Sequence, residues 1–283
     1  ATFTEEDVLA GDFLSENSLK KQIIAPVSKD VTIAVSVPGT LYSLLMNYPE
    51  LNYTYIRDLT ISGQLNDVDI ETIKSISYNY SLRILDLSDA SLPNNTLPEA
   101  AFKDLPLEHL VLPKNLEVLE KECFMGSDLI SILIPSANLK SIPYAAFKNC
   151  KNLKEIDIPE GVTSIGQESF VLCTSLSKVT FPTTLNHIGQ DAFLGDYSFT
   201  YTKNSPIPLT TIYAKMKDVP VMEAAGLALG SYWDKCTLYV PAGSLDSYRA
   251  NILGDGAWYG FGKILNIKEY DYPSSVEKGS KKK

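Results

Sequence analysis

The hydrophobic residues in the middle of the chain follow a pattern that repeats about every 23 residues. A segment of the form L-x-x-L-x-L, closed by proline, begins at Leu107, Leu129, Leu153 and Leu176, with small changes among Leu, Ile, Val and Phe. A phenylalanine recurs at steps of 22, 23, 23 and 23 residues: Phe102, Phe124, Phe147, Phe170 and Phe193. An apolar pair lies between these markers: Leu116/Leu119, Leu139/Ile142, Val162/Ile165 and Leu185/Ile188. Chance rarely keeps so many positions in phase, so the pattern indicates an array of structural repeats.

Each repeat is predicted to contain a short strand, a second extended stretch and a tight turn. The fourth and sixth positions of L-x-x-L-x-L alternate with polar ones and predict a strand with one buried side. Proline ends the strand because it has no N–H to donate to a ladder. The turn that follows the apolar pair, for example Gln167 to Phe170, should place the phenylalanine in the interior. A unit this short cannot bury its apolar residues alone, so successive units must stack with their strands parallel.

The alternative is an ordinary α/β domain with buried strands. Its helices would need about 10–12 residues each, and the segments between the strands contain no periodic run of that length.

These elements resemble the BspA-like class of leucine-rich repeats, with its L-x-x-I-x-I-P, V-x-x-I-G and A-F-x-x-C segments. The unit from Leu153 to Cys173 matches almost position for position. Proline stands where commoner leucine-rich repeats have the asparagine of a ladder, as is typical of this class. Clear matching covers residues 82–193. We therefore expect an α/β solenoid: a right-handed leucine-rich-repeat superhelix with short parallel strands, repeats of about 23 residues and a cap at each end.

The N-terminal residues are expected to close the first edge of this array. Residues 1–55 are assigned to an N-terminal capping region, because a strand edge left open invites pairing with other chains. An alternation predicts a strand through Val31, Ile33, Val35 and Val37. Thr40 is expected to cap a helix containing Leu41, Leu44 and Leu45. Two longer, atypical units follow at 56–63 and 82–88, with a capped helix from Asn66 between them.

The solenoid is assigned to residues 56–200, irregular terminal repeats and a C-terminal cap to 201–272, and a flexible tail to 273–283. Strands are predicted at 211–214 and 237–241, followed by a helix with Ser244 as its cap. The segment from Leu238 to Tyr248 resembles the terminal unit common in Bacteroides surface proteins of this class. Large apolar residues should seal the far end: Trp258, Tyr259, Phe261 and Ile264.

Composition and charge narrow the classes of partner. The chain has 283 residues, of which 45% are hydrophobic and 21% charged, which fits a folded protein with a sizeable core. Its net charge is −9, and without the four lysines among the last six residues it is −13 (21 against 34). Such an acidic body disfavours nucleic acid and anionic membranes as partners. No apolar run is long enough to span a bilayer. The first seven residues lack the features of a signal peptide. Because the resemblance implies export, we expect that a signal or lipoprotein segment has been removed.

The sequence offers little catalytic or metal-binding chemistry. The two histidines, His109 and His187, lie near no nucleophile signature, and no phosphate-binding glycine loop occurs. Asp67-x-Asp69-x-Glu71 opens like a calcium loop but lacks its later ligands and glycine, so we interpret it as the acidic start of a helix. The prediction is therefore a protein that is not an enzyme and that has no metal and no cofactor.

Cys150 and Cys173 occupy the same position in adjacent repeats. A disulfide between stacked strands is geometrically conceivable. The favoured interpretation is that both are small buried residues.

The third and fifth residues of each L-x-x-L-x-L segment should face away from the core. In two upstream units these are Asp58, Thr60, Ile84 and Asp86, and the regular units add eight more. The candidate binding face therefore comprises Ile84, Asp86, His109, Val111, Ser131, Leu133, Glu155, Asp157, Lys178 and Thr180. We expect an apolar line of Ile84, Val111 and Leu133 with acidic residues on both sides, an arrangement typical of protein-binding surfaces. The alternatives are that these residues reflect β propensity alone or that a loop covers them.

The resemblance implies a non-enzymatic interaction protein, secreted or displayed at a bacterial cell surface, that binds a host matrix or cell-surface protein in adhesion or host contact. One alternative is a carbohydrate-binding accessory module, which would expose clustered aromatic residues such as Tyr197, Phe199 and Tyr201. Another is an enzyme with its site in the irregular ends, which would require a cleft with a perturbed titrating group.

Overall fold

A computed structural model describes residues 30–47, 53–79, 81–135, 137–195, 209–222, 236–253 and 266–270. Within these ranges the chain forms short strands and three helices, joined by turns. In chain order the elements are β1 (Asp30–Val35), α1 (Leu41–Met46), β2 (Asp58–Gln64), α2 (Asp67–Asn79), β3 (Ile84–Asp86), β4 (Ala90–Ser91), β5 (Thr96–Leu97), β6 (His109–Val111), β7 (Val118–Leu119), β8 (Ser131–Leu133), β9 (Ser141–Ile142), β10 (Glu155–Asp157), β11 (Ser164–Ile165), β12 (Lys178–Phe181), β13 (His187–Ile188), β14 (Thr211–Ala214), β15 (Val221–Met222), β16 (Thr237–Pro241), α3 (Leu245–Leu253) and β17 (Asn266–Tyr270). Single 3₁₀ turns occur at Tyr53–Tyr55 and Pro93–Asn95.

The strands pair in parallel, as the repeat pattern predicts. One sheet has the order β1-β2-β3-β6-β8, with β4 also paired to β2, and a second has the order β10-β12-β14-β16-β17. The two follow each other in the stack, since the Lys154 N–H donates to the Ile130 carbonyl (3.3 Å) just before β10. Strands of two residues form separate short ladders, β9-β11-β13-β15 and β5-β7, and the second residue of each apolar pair lies in one of them. Each repeat therefore contributes a strand to two different ladders.

The core lies between these ladders and the phenylalanine turns. The central residues of the strands pair in register along the first sheet, Leu85 with Leu110 and Leu110 with Ile132. All five repeat phenylalanines are fully buried. Their rings form a continuous stack with centroid separations of 6.2, 4.8, 5.2 and 4.9 Å. Apolar area that one repeat leaves uncovered is thus buried by its neighbour.

The turn that carries each phenylalanine has a recurring left-handed residue. The residue two places before each phenylalanine has a φ between 52° and 59°, although none of the five is glycine. Such a conformation is disfavoured for residues with a Cβ. The turn places the phenylalanine N–H toward the next repeat, where in four cases it donates to a carbonyl at 2.7–2.9 Å. The hydrogen bonds between repeats offset the local strain.

The N-terminal helices are present, but the predicted cap of the first one is wrong. The Thr40 side chain makes no capping hydrogen bond to α1 and donates instead to the Val37 carbonyl (2.7 Å). The cap comes from Asp69, a fully buried residue in the first turn of α2. Its Oδ1 accepts from the Leu41 N–H (2.9 Å), and its Oδ2 accepts from the N–H groups of Gly39 (2.6 Å) and Asn66 (3.0 Å). One carboxylate therefore joins the starts of both helices.

Other local predictions fare as follows. The Asn66 side chain caps α2 as expected, accepting from the Val68 N–H at 3.0 Å. Strands β14 and β16 have the predicted bounds, and α3 begins directly after Ser244. The first strand is shorter than predicted, because β1 ends at Val35 and Val37 is 58% exposed beyond it. The tail, the aromatic residues proposed to seal the C-terminal end and residues 1–29 lie outside the described ranges.

Candidate binding face

The predicted outward-facing residues form two rows across the strands. In β3, β6 and β10 the central residue is buried and its neighbours are more exposed. The register of the ladders aligns these neighbours from strand to strand. We call the two rows together the strand face. The first row is Asp58, Ile84, His109, Ser131, Glu155 and Lys178, and the second row is Thr60, Asp86, Val111, Leu133, Asp157 and Thr180.

A shallow groove runs across β2, β3, β6 and β8 on this face. Its volume is about 440 Å³, and the first four residues of each row line it together with the central strand residues between them. Leu133 is 57% exposed, and Val111, its cross-strand partner, is half-buried. Ile84 does not extend this apolar pair into a single line, because it occupies the first row, between Asp58 and His109. The predicted apolar line is therefore wrong in detail: the groove has an apolar pair in one row and an isolated isoleucine in the other.

The carboxylates of the groove differ in what they contact. Asp86 Oδ1 accepts a hydrogen bond from the Ser88 N–H (2.8 Å). Asp58 Oδ1 is shielded from solvent yet accepts no hydrogen bond from the described residues. Arg57 Nε lies 3.8 Å from it, but the same guanidinium donates to Glu108 Oε2 at 3.0 Å. A shielded acceptor without a hydrogen-bond donor costs free energy. Among the described residues of this face, Asp58 Oδ1 is the side-chain atom in that situation.

Across the groove from these carboxylates, His109 Nδ1 lies 2.7 Å from Ser131 Oγ. This contact joins two neighbouring members of the first row. It orients the imidazole along the row.

The part of the face beyond β8 has a different character. Lys178 Nζ donates to Glu155 Oε2 at 2.9 Å, and this hydrogen bond raises the pKa of the lysine. Asp157 is exposed. Thr180, which was expected on the surface, is only 8% exposed. Its cross-strand partners are Asp157 and the much larger Tyr213, and a short side chain between longer neighbours is easily covered.

Sequence reasoning missed the continuation of both rows. Thr211 and Thr237 extend the first row, and Tyr213 and Tyr239 extend the second. The two tyrosine rings stack with centroids 4.8 Å apart and planes 15° from parallel. The signal was present, since the rule that selects the third and fifth positions applies equally to the strands predicted at 211–214 and 237–241.

Elsewhere the reactive side chains are packed inside. All four cysteines are buried and free, so Cys150 and Cys173 form no disulfide. Their thiols donate to the carbonyls of Phe124 and Phe147, each at 3.0 Å. Burial raises the pKa of the Cys150 thiol to about 12, which leaves it without thiolate reactivity near neutral pH.

The remaining candidate sites do not come together. His109 and His187 lie on β6 and β13, in different ladders. The described residues contain no group of three or more histidine, cysteine or acidic side chains placed to hold a metal ion. Among the same residues no helix is long and apolar enough to cross a membrane. The three tyrosine and phenylalanine residues proposed for sugar binding (Tyr197, Phe199 and Tyr201) lie outside the described ranges.

Comparison with known proteins confirms the resemblance of the repeats. Residues 71–200 match the BspA type leucine rich repeat region, in six copies. No curated protein matches the sequence.

The solved structures to which this chain is similar include the following three bacterial proteins. The pneumococcal vaccine antigen PcpA is 13% identical, with a TM-score of 0.48 over 86% of this chain and 71% of that one. A leucine rich cell surface protein from Faecalibacterium prausnitzii is 14% identical, with a TM-score of 0.35 over 66% and 83%. A leucine-rich repeat protein from Bacteroides ovatus is 13% identical, with a TM-score of 0.40 over 86% and 61%.

Proposed function

We propose that this chain, which contains a BspA-type leucine-rich-repeat region over residues 71–200, is a non-enzymatic interaction protein that binds a protein ligand on its strand face. The proposed site comprises the ten candidate residues and the groove that the first of them line. The proposed setting is the surface or exterior of a bacterium, in adhesion or contact with a host.

The observation that carries this proposal is the composition of the groove. An exposed leucine and a half-buried valine lie side by side on a sheet, next to carboxylates and a histidine. Apolar side chains at the centre of a polar rim are characteristic of protein-binding patches. A sheet whose strands are held by neighbours on both sides loses little conformational entropy when a ligand binds, which favours affinity.

The proposal includes the finer architecture expected from the repeats. We take the array as a right-handed solenoid with repeats of about 23 residues, an N-terminal cap in 1–55, a repeat body in 56–200 and an irregular, capped end in 201–272. The capping role of the N-terminal region is supported by β1, which covers the outer edge of β2.

A carbohydrate ligand is the second candidate, and one observation favours it. Tyr213 and Tyr239 stack on the same face, and both rings are partly exposed. Tyrosine combines an apolar ring with a polar hydroxyl and suits sugars as well as proteins. The aromatic cluster of this candidate is therefore the stacked pair Tyr213 and Tyr239.

The test is binding of the purified chain to arrays of extracellular-matrix proteins and of glycans at physiological salt. Two variants probe the face. Leu133→Glu replaces the exposed leucine by a negative charge, and Asp157→Lys replaces an exposed negative charge by a positive one. Matched controls make comparable changes elsewhere. Val118→Glu alters a 44% exposed apolar residue of β7, and Asp128→Lys alters an exposed acid between strands.

A protein signal lost in both face variants and kept in both controls is the expected result. A glycan signal that both face variants leave unchanged, but that Tyr239→Ala removes, would transfer the function to the tyrosine pair. Binding that all four charge variants retain would refute the strand face as the site.

A further inference from the structure

We infer that the groove binds an extended segment of the partner protein in which a lysine or arginine is followed, two residues later, by an apolar residue. This inference rests on the proposed function, because it specifies the partner of the same face. It assigns the cation to the space between Asp58 and Asp86 and the apolar side chain to Val111 and Leu133.

The charge of the groove points to a cationic ligand. The twelve residues that line it include two carboxylates and a histidine, and none is lysine or arginine. Asp58 Oδ1 is shielded and has no hydrogen-bond donor, while the neighbouring arginine is engaged by Glu108. The Asp58 side chain as a whole is 28% exposed, so an ammonium or guanidinium group in the groove can form a charge-assisted contact with the exposed part of its carboxylate. The chain's net charge of −9 would also steer a basic partner toward it.

The register places the two carboxylates within reach of one cation. Asp58 is directly opposite Ile84, and Asp86 lies two residues further along the same strand as Ile84. Diagonal neighbours of this kind on adjacent strands are about 7–8 Å apart. A cation midway between them can therefore contact both carboxylates, with Ile84 beside the aliphatic part of its side chain.

The spacing of the second row sets the position of the apolar residue. Asp86, Val111 and Leu133 follow each other on three neighbouring strands. Adjacent strands are separated by about 4.8 Å, and an extended peptide places same-side residues about 6.7 Å apart. A residue two places after a cation midway between Asp58 and Asp86 therefore falls beside Val111, with Leu133 on the next strand. Its burial there would cover the 57% exposed leucine.

A glycan or a polyanion fits this groove less well. Sugars carry few cations to meet the carboxylates, and nucleic acids and sulfated polymers would be repelled by them. The tyrosine pair, which would favour a sugar, lies beyond the groove on β14 and β16.

The experiment uses biotinylated peptides on streptavidin-coated sensors and the full chain in solution. The probe contains Lys-Thr-Leu within a Ser/Thr/Gly sequence. Three control peptides replace lysine by glutamate, replace leucine by serine, or place lysine and leucine next to each other. Binding is measured for the native chain, Asp58→Asn, Asp86→Asn and Leu133→Ser, and for Asp128→Asn as a charge control outside the groove. Circular dichroism melting checks that each variant is folded.

We expect the Lys-Thr-Leu probe to bind best and to weaken at about 500 mM salt, where exposed charges are strongly screened. Each amide variant should weaken binding about 2- to 5-fold, since partly exposed ion pairs contribute at this level. Asp128→Asn should leave it unchanged. The inference is overturned if the glutamate probe binds equally, if the adjacent-residue probe binds equally, or if no probe binds. A protein ligand from the array that Leu133→Glu abolishes, but that is insensitive to both amide variants, would refute this inference and leave the proposed function standing.

Discussion

The stack of phenylalanine rings predicts that removing an inner ring costs more stability than removing the first one. Phe147 and Phe102 occupy the same position in different repeats, and both are fully buried. Phe147 stacks on two rings, Phe124 at 4.8 Å and Phe170 at 5.2 Å. Among the described residues Phe102 stacks only on Phe124, at 6.2 Å. The pair therefore isolates the contribution of a second, closer ring.

The magnitudes follow from this geometry. Replacing a buried phenylalanine by alanine costs about 3–5 kcal/mol, through lost apolar burial and the cavity left behind. This part is common to Phe102→Ala and Phe147→Ala. Each aromatic pair adds about 0.5–1.5 kcal/mol beyond area burial, so Phe147→Ala should be the more costly by that amount. Either loss is a large fraction of the roughly 5–15 kcal/mol that stabilises a typical domain.

Urea unfolding followed by far-ultraviolet circular dichroism measures both free energies of unfolding, with midpoints compared at a shared slope. Phe102→Leu and Phe147→Leu serve as a second pair, because leucine keeps most of the apolar volume and removes only the ring contacts. The reasoning is refuted if Phe102 costs as much as Phe147 in both pairs. A changed slope would instead indicate that the repeats no longer unfold together, so equal slopes are part of the expected result.

Three further predictions concern the cap, a thiol and a glycine. Asp69→Asn should lower the free energy of unfolding by about 2–4 kcal/mol, because three backbone N–H groups lose a charged acceptor. Asp67→Asn, on the exposed side of the same turn, should change it little, and equal effects of the two variants in thermal melts would contradict the cap. Cys150 has a folded pKa of about 12 against about 8.5 when unfolded, so its stabilising effect is complete below about pH 8.5 and is lost as the pH rises toward 12. The unfolding free energy should fall with pH between about pH 8.5 and 10, and Cys150→Ala should reduce the slope of this fall by an amount that approaches one bound proton. An unchanged slope would show that the thiol ionises in the native state. Gly63→Ala should destabilise the protein more than Gly243→Ala in the same melts. Both glycines have positive φ, but a Cβ at Gly63 would lie 2.1 Å from a backbone carbonyl oxygen, whereas one at Gly243 would meet nothing within 4 Å. The reverse order of stability would refute the clash.

The repeat architecture was predictable because it depends on short-range periodicity. A strand of three residues with one buried side needs an apolar residue at a fixed place, and stacking requires the same place in every unit. The parallel ladders, the two strands per repeat and the phenylalanine turn follow from that requirement, and the family match over 71–200 agrees with it.

The helix cap at the N-terminus was not predictable in the same way. Local rules select Thr40, a good capping residue directly before an apolar helix. The carboxylate that caps this helix is 28 residues away from Leu41, in a segment whose acidic residues look like an ordinary helix start. A cap supplied by a tertiary contact leaves no local signature in the sequence. Here Asp69 replaces Thr40 as the cap, because its buried carboxylate accepts from three N–H groups at once.

The strand face was predictable in part. The rule of third and fifth positions gives the direction of each side chain, and it holds for Val111 and Leu133. It does not give the size of the neighbours, so it placed Thr180 on the surface although Tyr213 lies beside it. It also does not say which row a residue joins, and so it aligned Ile84 with residues of the other row.

Buried and outward-facing positions of the repeats differ in how much their residues vary. The residues that recur in every repeat, such as the strand leucines and the stacked phenylalanines, are buried, and they make each unit interchangeable with the next. The residues of the strand face do not recur: along the first row Asp58, Ile84, His109 and Ser131 differ in charge, shape and polarity. Since their side chains point away from the core, stacking of the repeats imposes little on their identity. Under the proposed function, the residues that select a ligand are therefore those that do not repeat, and the groove, where Asp58 Oδ1 accepts no hydrogen bond from the described residues, is the most distinctive part of the strand face.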